Sequence, residues 1–240
     1  EEYSNGRLYT CSEWRVPDNK SLYMKPIKVE AEDMESYITI PRKNVTSRED
    51  SLAVQAARRT AVNPEFSVSG NAYLMVEDTR PSTSNNFLPG VTFKIPNVLS
   101  NCPYDIKVVF ATPLAYDAYA TKDAALPRWI KAYTYHYLSP DYDNMIAPSS
   151  ARQLPYSATS SIKPDYVEVD AMKMDTVTVS GPDGYVFPVC TYNETKASTY
   201  LTIETFDAWD VLFDPRATNC GWRLYIDCII LEPRIQDTDE

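Results

Sequence analysis

Apolar side chains return at every second residue along much of this chain. In VTFKIP (residues 91–96), Val91, Phe93 and Ile95 fall on one side, and Thr92 and Lys94 on the other. The same alternation runs through PYDIKVVFA (103–111), DYVEVD (165–170), DTVTVSG (175–181), TYLTIETF (199–206) and RLYIDCIILE (223–232). Successive side chains of an extended strand point to opposite faces, so a period of two buries one face and wets the other. β-Branched and aromatic residues fill these runs. Clusters of Pro, Asn, Asp and Gly bound them, as in RPSTSNNFLPG (80–90), SPDYDN (139–144) and SGPDG (180–184). Eighteen prolines spread over 240 residues work against long helices. Only EDSLAVQAARRTA (49–61) has a helical composition, and its apolar spacing fits a short helix or an irregular strand. No solenoid or propeller repeat is present. Many short antiparallel strands separated by turns predict an all-β chain folded as a β-sandwich, most simply a jelly roll.

Length and charge limit what such a sandwich can do. The 240 residues suit one large β domain or one to two ordinary domains, and can bury a core without metal or disulfide staples. With 44% apolar and 23% charged residues the chain is globular rather than disordered. A net charge of −10 disfavours nucleic acid as a partner, because neutralising phosphates needs a surplus of Lys and Arg, and equally disfavours an anionic membrane surface. No run of 18 apolar residues occurs, so no membrane-spanning helix is expected. The opening EEYSNGRLY is no export signal, so any leader is expected to have been removed.

Motifs with a catalytic mechanism are missing. G-x-S-x-G, a phosphate-binding glycine loop and H-E-x-x-H do not occur. With 33 acidic residues, a chosen pair of carboxylates is weak support for a glycoside hydrolase. The five cysteines, Cys11, Cys102, Cys190, Cys220 and Cys228, contain no C-x-x-C pair, and His136 is the only histidine, which nearly excludes a zinc site of the usual spacing. Cys220 and Cys228 are near enough in sequence to pair. Cys228 also lies in a strand-like run where a small buried thiol serves equally well, and both readings stand.

Two groups of residues invite a binding role. In VEAEDM (29–34), Glu30 and Glu32 share one face if the stretch is a strand. A wet sheet edge, ion pairs with Lys28 or Arg223, or a bound cation would each account for them, and calcium is the hard cation that gathers carboxylate oxygens in loose geometry. In SPDYDNM (139–145), Asp141, Asp143 and Asn144 begin an EF-hand-like spacing but lack its Gly and distant Glu, which reads as a polar turn. Aromatic residues crowd one segment: Tyr116, Tyr119, Trp129, Tyr133, Tyr135, Tyr137 and Tyr142. Tyr133, Tyr135 and Tyr137 form an alternating row, which suits a core or an interface as readily as a sugar-stacking surface. Tyr116, Tyr119 and Tyr142 fall in loop-like sequence and are expected to be exposed.

VEAEDM is similar to the Glu-Ala-Glu strand that opens carbohydrate-binding modules of family 6 and their galactose-binding-like relatives. SGNAYLMVED (69–78) resembles that family's early Ser-Gly-Gly-Ala-Tyr strand, and VTFKIPNVLSNCPYDIKVVFA (91–111) its paired middle strands. GWRLYIDCIILEP (221–233) resembles its closing strand, with an Asp followed by an aliphatic pair. Residues 113–198 do not match. The resemblance implies a jelly roll whose first and last strands pair, bringing Asp227 near Glu30 and Glu32, with a structural calcium beside that pair.

A narrower resemblance adds a setting. YSNGRLYTCSEW (3–14) is similar to the end of a fasciclin-type domain. IPNVLSNCPYDIKVVFATP (95–113) and YIDCIILEP (225–233) resemble the C-terminal sandwich of fasciclin-containing surface lipoproteins of Bacteroidota. It implies that residues 1–25 are an N-terminal arm or the remnant of a preceding fasciclin-type domain, and 26–240 the sandwich. It also implies the extracellular face of the cell envelope or the periplasm, with a lipid anchor on an upstream part. The expected function is a non-catalytic extracellular module that contacts a glycan, the alternative being a protein-contact module of a surface adhesin. Tyr116, Tyr119, Trp129 and Tyr142 are the candidates for a sugar platform, Asp117, Asp141 and Asp143 for hydroxyl contacts, and Glu30, Glu32 and Asp227 for calcium.

Overall fold

The structure is a computed structural model, and it describes residues 2–3, 6–7, 25–33, 37–38, 50–56, 68–70, 72–78, 90–96, 98, 102–113, 126–137, 152–154, 166–187, 198–205, 213–221 and 223–234. Among the described residues, fifteen strands follow one another: β1 (Glu2–Tyr3), β2 (Gly6–Arg7), β3 (Ile27–Glu30), β4 (Tyr37–Ile38), β5 (Asp50–Ala56), β6 (Ala72–Asp78), β7 (Gly90–Ile95), β8 (Pro103–Phe110), β9 (Arg128–Tyr137), β10 (Arg152–Leu154), β11 (Val167–Val169), β12 (Asp175–Thr178), β13 (Tyr185–Val186), β14 (Ser198–Glu204) and β15 (Arg223–Pro233). β1 and β2 make a two-stranded sheet of their own. A six-stranded sheet runs β10-β9-β14-β7-β4, with β11 also on β9. A seven-stranded sheet runs β12-β8-β15-β6-β5, with β13 also on β8 and β3 also on β15. The strand pairings are antiparallel.

The period of two becomes one shared core. Along β8, Tyr104, Ile106, Val108 and Phe110 are buried while the residues between them are half-exposed. They pack in one apolar cluster with Leu74, Val76, Leu224, Ile226, Ile229 and Leu231 of the same sheet. Val91, Phe93, Ile95, Ile130, Ala132, Leu201 and Ile203 of the other sheet complete the cluster. Two sheets facing each other across such a layer make a β-sandwich. Each of the fully buried Leu, Ile and Phe side chains contributes about 1.5–3 kcal/mol. The helical composition of 49–61 is overridden for residues 50–56, which form β5 and pair with β6 over seven positions. A long strand neighbour outweighs a weak helix preference.

β15 lies at the centre of the seven-stranded sheet, and its alternation breaks once. Leu224 and Ile226 face the core, then Ile229 and Leu231 do so on the opposite parity. The register with β8 explains the switch: Ile226 lies opposite Phe110 and Cys228 opposite Val109, leaving Asp227 as an extra residue. That is a β-bulge, which re-aims side chains while keeping the flanking register. Strict alternation places Cys228 with Leu224 and Ile226; the bulge moves it out of the shared core to the side of Asp227, where its thiol donates weakly to Asp227 Oδ2 at 3.7 Å. Cys220 and Cys228 are both buried thiols and form no disulfide.

Candidate functional site

The bulge at Asp227 sits on a seam. β6 and β3 lie end to end along one edge of β15: β6 takes residues 223–226 and β3 takes 228–231. Asp227 falls between them and is only 4% exposed. Its carbonyl accepts the Ala31 N–H at 3.0 Å. Its Oδ1 accepts the Ser69 N–H at 2.9 Å. The Ser69 hydroxyl lies 2.5 Å from Glu30 Oε2 and 3.2 Å from Asp227 Oδ1. The expected pairing of these two strands and the approach of Asp227 to Glu30 are therefore present.

Glu32 arrives differently from the expectation. It does not share a strand face with Glu30, because β3 ends at Glu30 and the Asp33 N–H donates to the Glu30 carbonyl at 3.3 Å, closing a turn. The turn lays the Glu32 carboxylate on Gly70. A Cβ there would run into Glu32 Oε1, and the Gly70 φ of +68° is itself a glycine conformation. Glu32 Oε2 is buried and has no hydrogen-bond partner among the described residues.

The electrostatics follow from this crowding. Burial pushes the Asp227 carboxyl above its usual range, against the Ser69 hydrogen bonds, and the Glu30 charge adds to the rise. Burial raises Glu32 too, with Glu30 and Asp227 adding and Lys28 opposing. Lys28 pairs with Glu30 at 2.7 Å. Burial works against its ammonium, yet the bond to Glu30 and the charges of Cys228, Glu30 and Asp227 outweigh that and raise its pKa. The pairing of Lys28 with an acid is thus real; its ion pair is with Glu30, and its charge also acts on Glu32 and Asp227.

Three carboxylates and an orphaned oxygen of Glu32 meet at this seam, and the Glu32 carboxylate itself fills the space over Gly70. Among the described residues, no group of three or more His, Cys, Asp or Glu side chains is arranged to hold a metal ion. Glu30 and Asp227 instead share the Ser69 hydroxyl. Ser69 and Gly70 were legible only as part of the SGNAY strand motif; a Gly two residues before a strand, in a chain with six glycines in all, was the available signal.

Of the proposed sugar-contacting residues, Trp129 alone is described. Tyr116, Tyr119, Tyr142, Asp117, Asp141 and Asp143 lie outside the described residues, as do the side chains of Tyr133, Tyr135 and Tyr137. Trp129 is half-buried in β9, and the Arg216 guanidinium covers its ring at 4.8 Å from the centroid. Arg216 comes from a 3-10 turn, Pro215–Asn219, capped by Asp214. It also lies 5.6 Å from the Tyr166 ring, over which Lys131 Nζ sits at 4.1 Å. Asp214 grips Arg216 through both carboxylate oxygens, at 3.0 Å and 2.6 Å. This face of the indole is therefore occupied from within. Nearby, Pro127, Glu168, Asp170, Ala171 and Asp175 line a cavity of about 460 Å³. Two of its acids are answered locally: Asp170 and Asp175 accept backbone N–H groups at 2.8 Å, and Lys173 lies 3.4 Å and 3.8 Å from them.

No helix among the described residues is long and apolar enough to cross a membrane. No protein-family model and no curated protein matches the chain. A solved structure similar to it is the cleaved adhesin domain of Lys-gingipain from Porphyromonas gingivalis, at 12% identity and a TM-score of 0.34, over 88% of this chain and 99% of that one.

Proposed function

We propose that this chain is a non-catalytic extracellular binding module, a galactose-binding-like jelly roll akin to family 6 carbohydrate-binding modules, whose function is glycan contact. A structural calcium held by Glu30, Glu32 and Asp227 belongs to the same reading. When bound, that ion supplies positive charge and oxygen coordination, and no chemistry. The setting is the outer face of a bacterial cell envelope, in an adhesion protein of the fasciclin-containing lipoprotein kind, anchored through an upstream part.

The observation that carries the reading is the junction. The first strand of the sandwich pairs antiparallel with the last, and the pairing gathers an acid of each, Glu30 and Asp227, on one serine. The sequence motifs of the glycan-binding modules require that arrangement. The aromatic segment at 113–145 supplies the candidate contacts: Tyr116, Tyr119 and Tyr142, with Trp129 at its base, and Asp117, Asp141 and Asp143 for sugar hydroxyls. Loops on a fixed sandwich are where such contacts are normally placed.

Single modules of this kind bind weakly and gain from multivalency. A glycan array probed with a multimerised form, in calcium, should light up one class of glycan, and substitution of Tyr116 and Tyr119 by Ala should extinguish it. Silence across plant, mucin and bacterial glycans would end the sugar reading and leave protein contact within an adhesin in its place.

A further inference from the structure

We propose that Arg216 is a built-in plug over Trp129, and that a sugar ring reaches the indole by displacing it. The proposal rests on the glycan reading above, with Trp129 at the base of the contact segment, and adds what controls access to that ring.

The fixed and the movable parts are separate. Trp129 belongs to β9, where its backbone pairs with Glu168 of β11. β9 then continues between β14 and β10 inside the six-stranded sheet. The ring therefore stays where the sheet puts it. Arg216 comes from the five-residue 3-10 turn Pro215–Asn219. A single turn of that kind is held by short-range bonds of poorer geometry, and it opens more readily than a strand ladder. Its two ends differ. On the C-terminal side Cys220 is buried in extended backbone, and the Gly221 N–H donates to the Pro127 carbonyl at 2.9 Å, two residues before Trp129. On the N-terminal side Phe213 is 74% exposed, so little of its apolar surface weighs on the turn. The turn is thus hinged at Gly221.

Charge normally makes an arginine contact costly to undo, and here it does not. Asp214 grips the guanidinium through both oxygens, at 3.0 Å and 2.6 Å, and its Oδ1 also accepts the Arg216 N–H at 2.9 Å. Cation and counter-ion ride on one turn, two residues apart. When the turn lifts, the ion pair leaves whole and strands no charge on the sheet. What is given up is the contact with Trp129, at 4.8 Å from the ring centroid, and the more distant one with Tyr166, at 5.6 Å. Tyr166 keeps Lys131 Nζ over its ring at 4.1 Å. Trp129 is left with an open face. Its negative π-cloud, which attracted the guanidinium, equally attracts the polarised C–H groups on the face of a sugar ring. The closed form lowers affinity by the share of molecules that it occupies. A cation on a ring at a part-exposed site sets that share to about a two- to fivefold effect.

Glycan arrays probed with the multimerised whole chain, wild type against Arg216→Ala, test this, with acrylamide quenching of tryptophan fluorescence in parallel. Arg216→Ala should strengthen binding to the glycan class that the wild type recognises by about two- to fivefold. It should also expose one more of the four tryptophans to acrylamide, a component that Trp129→Leu removes. Arg216→Gln keeps the stem and loses the charge; it should change both readouts in the same direction, and it carries the test if the alanine variant does not fold. A merely structural role would weaken binding, so the gain is diagnostic. If a glycan binds and both variants leave affinity unchanged or lower it, the plug is wrong while the glycan reading stands. A gain in binding without a gain in quenching overturns it too, because the indole was then not covered. If neither the wild type nor the variants bind any glycan, both readings fall.

Discussion

Arg216 has two rings and a bidentate carboxylate within reach: Trp129, Tyr166 and Asp214. Glu32 Oε2, a buried atom, has no hydrogen-bond partner among the described residues, and the charges acting on it include Glu30 and Asp227. Both regions concentrate charge on the sandwich, one on the six-stranded sheet and the other on a seam of the seven-stranded one. In the first, cation, ring and acid alternate, so the charges are answered by the protein itself. In the second, acids accumulate around one serine and one lysine. A self-answered cluster is architecture. A like-charged one needs either protons or a cation, and that difference is why a cation is proposed for the acid seam and not for the Trp129 layer.

The sharpest way to break the comparison is at Arg128, the most deeply buried cation among the described residues. It is 3% exposed, donates through Nε to the Arg223 carbonyl, and lies 5.1 Å from the Tyr225 ring centroid. Burial lowers its pKa, and Tyr225 and Cys220 pull the other way. Arg128→Ala should cost about 3 kcal/mol, the sum of lost packing, a lost charge-assisted bond and a carbonyl left without that donor. Urea unfolding measures it. A loss under about 1 kcal/mol would mean that this cation is not answered by its surroundings after all.

Next in size is the ion. Calcium at 100 times its Kd should stabilise the fold by about 2.7 kcal/mol over chelator. For a chain of this length that is a rise in Tm of roughly 5–10 °C. Glu32→Gln should shrink the rise and lift the Tm measured in chelator. Calorimetric melts that superimpose in calcium and chelator would show that the acids at the seam are a wet, lysine-paired strand end.

How much of this could be read from sequence depended on what sets each feature. The core of β8 was legible because burial follows the pleat, residue by residue, from Tyr104 to Phe110. The approach of Asp227 to Glu30 was expected only through the resemblance to family 6 carbohydrate-binding modules, in which the first and last strands pair. The bulge was not, since a period of two carries no mark for an inserted residue; only the run IDCII, with Ile226 and Ile229 both apolar and three apart, hints at it. The turn at Ala31–Glu32 was hidden for a similar reason: one backbone bond, Asp33 to Glu30, ends a strand that composition would continue. β5 was ambiguous because propensity is local and the β6 partner that decides it is not. Arg216 over Trp129 joins residues far apart in the chain, a contact that no local pattern encodes.

A smaller effect concerns protons. Burial pushes the Cys220 thiol up to about 11, against the pull of Arg128. Burial, with Tyr225 adding, pushes the Tyr73 phenol up to about 12. Both groups ionise more easily in the unfolded chain, so above about pH 9 the unfolded state holds fewer protons than the native one. The stability linked to them is complete below that point and is lost as pH rises toward 11 and 12. Melting temperature should therefore decline steadily across pH 9–11, and Cys220→Ala should flatten the early part of the decline. A decline with the same slope in that variant would remove Cys220 from the account.

The smallest effect tests the contrast most directly, because it reads a sign. A double-mutant cycle on Arg216→Ala and Trp129→Leu should give a favourable coupling of about 0.5–1 kcal/mol, reduced because Tyr166 and Asp214 retain part of the guanidinium's surroundings in either single variant. The matching cycle on Glu30→Gln and Asp227→Asn, run in chelator, should give a coupling of the opposite sign, since each neutralisation relieves the other carboxylate. Added calcium should turn that second coupling favourable, because the ion needs both charges at once. Two favourable couplings in chelator would mean that the Ser69 hydroxyl bridge, bonded to Glu30 and Asp227 together, outweighs their repulsion, and the acid seam would then be as self-answered as the layer around Arg216.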